Sequence, residues 1–202
     1  MHAGCIVACK RLPLVGEWNI STVMVRAFVA LELPFEIRER LKGAQDKLRS
    51  CSARLTMVEP ALIHITLKFL GEVAEKDLPH MGDALRSVSF RPFPVTVGAV
   101  TVNNPRRPHT VWCAVSDGGI GKDLFRQVEE VLAPLGFEQE ARPFTPHATL
   151  ARVKVPDPSL FTVLRTMDKT SYGDCIIGGM KLKKSTLTPR GPVYEDLLEV
   201  TW

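Results

Sequence analysis

The stretch Pro60-Ala-Leu-Ile-His-Ile-Thr-Leu67 decides how this chain is read, because it returns 83 residues later as Pro143-Phe-Thr-Pro-His-Ala-Thr-Leu150. Both copies carry His-x-Thr-Leu behind a proline. Working outward, the same offset lays Phe28 and Val29 on Val111 and Trp112, and Ile37, Leu41 and Leu48 on Ile120, Leu124 and Val131. Further on, Leu78, Met81 and Val97 fall on Phe161, Leu164 and Met180. A fixed-period match of this kind marks an internal duplication. One His-x-Thr among five histidines is unremarkable, but two copies at matching points of a repeat are not an accident of composition.

Each copy shows the same series of patterns. Arg26–Leu33 is an apolar run stopped by Pro34, hence a strand. Ile37, Leu41, Ala44 and Leu48 recur at helical spacing, with Arg38, Glu39, Lys42 and Lys47 between them, hence an amphipathic helix. Ile63–Leu70 is a second strand, ended by Gly71, followed by a helix through Leu78, Met81, Leu85 and Val88 and a strand over Phe93–Val100. The tail, Ser185–Pro189 and Tyr194–Val200, predicts a hairpin around Arg190-Gly-Pro192 that returns to complete a sheet. The expected fold class is α+β: a bilobal, pseudo-twofold duplication of two helix-backed antiparallel sheets flanking a central cleft.

Composition agrees with a folded domain. The chain has 202 residues, 45% hydrophobic and 24% charged, which excludes wholesale disorder, a collagen-like fibre and a coiled coil. Five cysteines form no disulfide pattern and read as reduced, so a cytoplasmic location is expected. A net charge of +4 leaves nucleic-acid affinity to a local basic patch. Residues 1–23 differ from the rest: Lys10 and Arg11 follow the apolar run Ala3–Cys9 instead of preceding it, a poor signal peptide. They are read as a dispensable leader, with 24–202 as one two-lobed domain. His2, Cys5 and Cys9 stand too isolated for a metal site. No window is long and apolar enough to span a bilayer, so no membrane partner is expected.

The chemistry follows from strand geometry. Side chains alternate along a strand, so His64 and Thr66 share one face, as do His147 and Thr149, while Ile65, Leu67 and Phe69 take the opposite, apolar face. A pseudo-twofold axis would bring two imidazoles and two hydroxyls to one cleft. One neutral and one protonated imidazole suit acid/base chemistry near neutral pH on a phosphodiester, with the hydroxyls holding non-bridging oxygens. Arg152, three residues beyond Thr149, is placed to add a cation. A zinc hydrolase is the sharpest rival, but neither motif carries Asp, Glu or Cys beside its histidine, and Glu72 is the nearest acid to the first. An RNA-binding module without turnover is the third reading. No Gly-rich phosphate loop is present, so no nucleotide cofactor and no metal are expected.

Arg26–Pro34, Glu59–Glu72, Pro143–Arg152 and Lys184–Tyr194 together resemble the RNA 2',3'-cyclic phosphodiesterases, formerly 2'-5' RNA ligases, of the 2H phosphoesterase superfamily. The resemblance runs from about Met24 to the end. It implies a metal-independent enzyme that opens a terminal 2',3'-cyclic phosphate to a 2'-phosphate and joins RNA ends reversibly through a 2'-5' linkage. Carried over, His64 and His147 are the catalytic pair, with His64 leaning to general acid and His147 to base in a cleft whose symmetry makes the roles nearly exchangeable. Thr66, Thr149 and Arg152 are the phosphate-binding residues. RNA ends or cyclic nucleotides are the implied substrates, taken by a monomer. Two departures stand out: Thr56-Met57-Val58 where such proteins often carry an aromatic residue, and Val102-Asn103 where a Phe-Pro pair is common. These bear on base stacking or loop shape. Arg106, Arg107, Arg152, Lys154, Lys181, Lys183 and Lys184 are candidates for a basic rim, and Phe28, Phe69, Phe144 and Tyr194 for stacking on a base. Core packing is the expected role of Phe28 and Phe69.

Overall fold

The computed structural model describes residues 23–189 and 191–202. All of the suggested leader but Val23 lies outside them. The first repeat forms strand β1 (Met24–Glu32), helix α1 (Phe35–Leu48), strand β2 (Arg54–Met57), strand β3 (His64–Ala74), helix α2 (Leu78–Arg86) and strand β4 (Phe93–Val102). The second forms β5 (Thr110–Ser116), α3 (Ile120–Leu132), β6 (His147–Val155), α4 (Ser159–Arg165), β7 (Gly173–Ile177), β8 (Gly179–Thr188) and β9 (Gly191–Thr201). The α+β class and the antiparallel, helix-backed halves are as expected. The tail hairpin is longer than its composition suggested and does return to a sheet, with β8 beside β1.

Strand order is β7-β4-β5-β6-β3-β1-β8-β9, with β2 beside β6. The halves are continuous, not separate sheets, and they meet through a single pair, Ile65↔Ala148. These are the middle residues of the two His-x-Thr motifs. A residue paired with its own repeat counterpart requires the pseudo-twofold axis to pass beside that pair, perpendicular to the sheet. Such an axis keeps both motifs on one face, so the junction itself brings the histidines together.

The lobes are not the repeats. Each repeat hands strands to the other half: β2 pairs with β6 and β4 with β5, while β8 pairs with β1 and carries β9. Helices cross over as well, since α1 packs on α4, β6 and β7, while α3 packs on α2 and β3. The cause is local. β4 and β5 are joined by a short turn, and an antiparallel hairpin across it (Val102↔Val111) is the nearest pairing either strand can make. The repeat boundary therefore falls inside a hairpin.

Gly71 does not end β3. It adopts a left-handed conformation (φ 72°) at a register shift against β1, and the strand continues to Ala74. A second irregularity matters more. Ala30 pairs with Thr66 but Val29 with Lys68, so Leu67 is an extra residue. In β6, Trp112 pairs with Thr149 but Val111 with Ala151, so Leu150 is extra at the equivalent position. A bulge exchanges the faces of the residues beyond it. Lys68 is consequently buried on the helix side, and Phe69 emerges 68% exposed. This overturns the expectation that Phe69 packs in the core.

Candidate active site

A cleft of about 510 Å³ opens over the junction of the halves, lined by His64, Thr66, His147, Thr149 and Arg152 together with residues of β1, β2 and the β8–β9 hairpin. Every residue singled out by the motif reading thus reaches one cavity. Arg152 reaches it because of the bulge at Leu150; strict alternation from Thr149 would have turned it away.

The two imidazoles are anchored alike. His64 Nδ1 lies 2.7 Å from the Leu62 carbonyl and His147 Nδ1 lies 2.8 Å from the Thr145 carbonyl. A carbonyl only accepts, so each Nδ1 carries the hydrogen and each Nε2 is left to face the cleft. His64 Nε2 is 3.1 Å from the Thr66 hydroxyl. Each ring also rests on an aromatic: His64 stacks on Phe28 at 5.0 Å with Tyr194 edge-on at 5.6 Å, and His147 lies 4.1 Å from Trp112. Arg152 donates to the Thr110 hydroxyl at 2.9 Å, which holds its guanidinium over the second half.

Burial pulls both imidazoles below the ordinary histidine range. For His64 that desolvation is opposed by the bond to the Leu62 carbonyl and by the Glu32 carboxylate, and reinforced by Lys183 and His147. For His147 it is opposed by the Thr145 carbonyl and reinforced by the Arg152 guanidinium. The halves therefore differ in their charged neighbours: a Glu32–Lys183 ion pair stands near His64, and the Arg152 guanidinium alone near His147.

The remaining candidates divide. Phe28, Phe69 and Tyr194 line the cleft, whereas Phe144 stacks on Phe125 at 5.0 Å instead. Lys181 and Lys183 are taken by Asp196, each at 2.6 Å, and Lys183 also by Glu32 at 2.6 Å; Lys184 lies 3.7 Å from Glu195. Arg106, Arg107 and Lys154 line a neighbouring groove. At the two departures, Thr56, Met57 and Val58 form part of the cleft wall, and the Asn103 side chain shapes a turn by accepting the N–H groups of His109 and Thr110. Trp112 and Thr110 went unrecognised in the sequence. Trp112 matches Val29 in the repeat register, so it counted only as one more apolar position. Among the described residues no group of three His, Cys, Asp or Glu side chains stands together in a way that could hold a metal ion, and no helix is long and apolar enough to cross a membrane.

A duplicated sheet that pairs two His-x-Thr motifs across its own axis defines a 2H-type phosphoesterase, and a model of the LigT like phosphoesterase family matches residues 31–113 and 121–194. The chain belongs to that family. Among its relatives, a protein of Archaeoglobus fulgidus named RNA 2',3'-cyclic phosphodiesterase is 37% identical over 174 residues, covering 86% of this chain and 98% of the relative. A protein of the same name from Methanothermobacter thermautotrophicus is 34% identical, covering 86% and 96%. A crystal structure from Thermus thermophilus superposes with a TM-score of 0.73 at 30% identity, over 87% of this chain and 97% of that one. Escherichia coli LigT complexed with 3'-AMP has the same fold, with a TM-score of 0.73 at 23% identity over 89% and 98%.

Proposed function

We propose that residues 24–202 hydrolyse the 2',3'-cyclic phosphate at an RNA end to a 2'-phosphate without a metal ion. The observation that carries this reading is the matched pair of imidazoles, each with Nδ1 tied to a backbone carbonyl and Nε2 open to one cleft. His147 Nε2 takes a proton from water as the water oxygen bonds to phosphorus. The bond from phosphorus to the ribose 3'-oxygen breaks, and His64 Nε2 delivers the proton that this oxygen needs. Thr66, Thr149 and Arg152 hold the non-bridging oxygens while charge builds on them. The charge asymmetry supports this choice of roles, since at His64 the Glu32 carboxylate, which outweighs Lys183, favours the imidazolium, whereas the one charged neighbour acting on His147, Arg152, favours the neutral ring. A 5'-hydroxyl taking the place of water would give a 2'-5' linkage by the same steps, and these reverse. The relatives' shared name supports the substrate and the reaction of this reading. We place the protein in the cytoplasm as a monomer.

The test is incubation of RNA ending in a 2',3'-cyclic phosphate with the enzyme in EDTA, with the product followed by phosphorus NMR. A 2'-phosphate is expected, and His64→Ala or His147→Ala should each lower kcat by about 10²–10⁴-fold. Inhibition by EDTA that zinc reverses would sink the metal-free mechanism, and a 3'-phosphate would sink the choice of leaving group.

A further inference from the structure

A second groove, about 460 Å³, lies beside the cleft along β6. Thr110 and Arg152 line the cleft, while the residues next to them in the chain, His109 and Val153, line the groove. The Val153 N–H donates to the His109 carbonyl at 2.9 Å and makes the two cavities neighbours across one backbone bond. Arg106 and Arg107 come from the turn between β4 and β5, and Lys154 stands two residues beyond Arg152 on the same exposed side of β6.

These three cations differ from the others considered for RNA. On the opposite half, Lys181, Lys183 and Lys184 each have a carboxylate within 4 Å. Arg106, Arg107 and Lys154 form no ion pair among the described residues. One acid, Asp157, lines the groove; its Oδ1 accepts the backbone N–H of Ser159 at 2.9 Å and the Ser159 hydroxyl, and with no ion pair formed the lining carries three cations against one carboxylate. The turn is also braced for the task. Asn104 Oδ1 accepts the N–H groups of Arg106 and Arg107 at 2.9 and 3.3 Å, so the two arginines leave a backbone that is already ordered. Phe161 and the prolines at 105, 108, 156 and 158 supply apolar surface between the charges.

Resting on the function proposed above, we infer that this groove binds the phosphodiester backbone of a single strand on the 5' side of the reacting end, which makes an RNA strand, not a cyclic mononucleotide, the preferred substrate class. The chemistry dictates the direction. A 2',3'-cyclic phosphate closes the 3' side of its nucleotide, so any further phosphates can only lie 5' to it. An excess of unpaired cations beside the cleft matches that continuation and offers nothing to a mononucleotide.

The experiment compares kcat/KM for adenosine 2',3'-cyclic phosphate and for a short single-stranded RNA with the same end, using the full chain and its Arg106→Ala/Arg107→Ala/Lys154→Ala variant. The ratio favouring RNA should fall at least tenfold in the variant. The slope of log Kd against log salt for a fluorescent RNA ending in a 2'-phosphate should lessen by about 2, at roughly 0.7 for each phosphate contact removed. Equal losses on both substrates, or an unchanged ratio and slope, overturn the inference. Should the unmodified protein cleave neither substrate, the proposed activity fails while the binding slope still decides the groove: a lessened slope upholds strand binding there, and an unchanged one rejects it.

Discussion

At the scale of single residues, the extra Leu67 and Leu150 do the most to shape the site. Each bulge turns the third residue after the motif threonine into the cleft, which places Phe69 on one side and Arg152 on the other. The duplicated backbone is thus symmetric and its chemistry is not. The pH behaviour follows from the histidines. Burial lowers both from their ordinary value near 6.5, so the bell of kcat/KM, which reports the free enzyme, should centre on the acid side of 6.5. The bell of kcat should lie at higher pH, because the bound phosphodiester anion stabilises an imidazolium. Arg152→Ala removes a positive charge that lowers His147, so this imidazole, the base of the proposed mechanism, stays protonated to higher pH. Its acid limb should move up the pH axis while KM for the anionic substrate rises. A rate profile with the acid limb unmoved would show that Arg152 does not act on His147.

At the scale of elements, the two motif strands are held by pseudo-equivalent clamps built from different chemistry. Buried Gln45 of α1 donates to the carbonyls of Val58 and Leu150 at 2.6 and 2.9 Å, tying the segment after β2 to β6. On the other half Lys68, buried by the bulge in β3, donates to both Glu129 oxygens of α3 at 2.7 and 2.8 Å and to the Glu138 carbonyl at 2.7 Å. Glu129 in turn accepts the Glu140 N–H at 3.1 Å, so this pair fastens the segment that leads toward His147. A buried pair is costly to break from one side, because the remaining charge is left without a partner. Lys68→Met should therefore lower unfolding free energy by about 3–5 kcal/mol in urea titrations, and the double variant Lys68→Met/Glu129→Leu should regain most of it. Failure of the second change to restore stability would mean that the hydrogen bonds to the 138–140 segment matter more than the charge itself.

At the scale of the whole molecule, the exchange of β4 and β8 makes the halves interdependent. β1 needs β8 on one side, and β5 needs β4 on the other. Neither repeat encloses a core alone, although each contains a complete series of elements. Residues 24–104 or 105–202 expressed separately should give no cooperative thermal transition, while the two pieces mixed should recover one, as followed by circular dichroism. Independent folding of either piece would contradict the interlocked arrangement.

Much of this was legible from the chain itself. The offset between His64 and His147, the polar and apolar alternation around them and the order of strands and helices are local properties, and local properties survive in a sequence because each depends on spacing over a few residues. Other features lay outside its reach. A bulge adds one residue to one strand only relative to its partner, so nothing within Leu67-Lys68-Phe69 announces that Phe69 faces the cleft and Lys68 the core. The return of β8 to β1 is likewise a choice between partners distant in the chain. By itself, the sequence determined the duplication, the paired histidines and threonines and the class of chemistry they suit. Only the tertiary structure decided which repeat's strands complete which half, which cations remain without an ion pair among the described residues, and which side of each strand faces the cleft, because all three depend on pairing register and on charges brought together from remote segments.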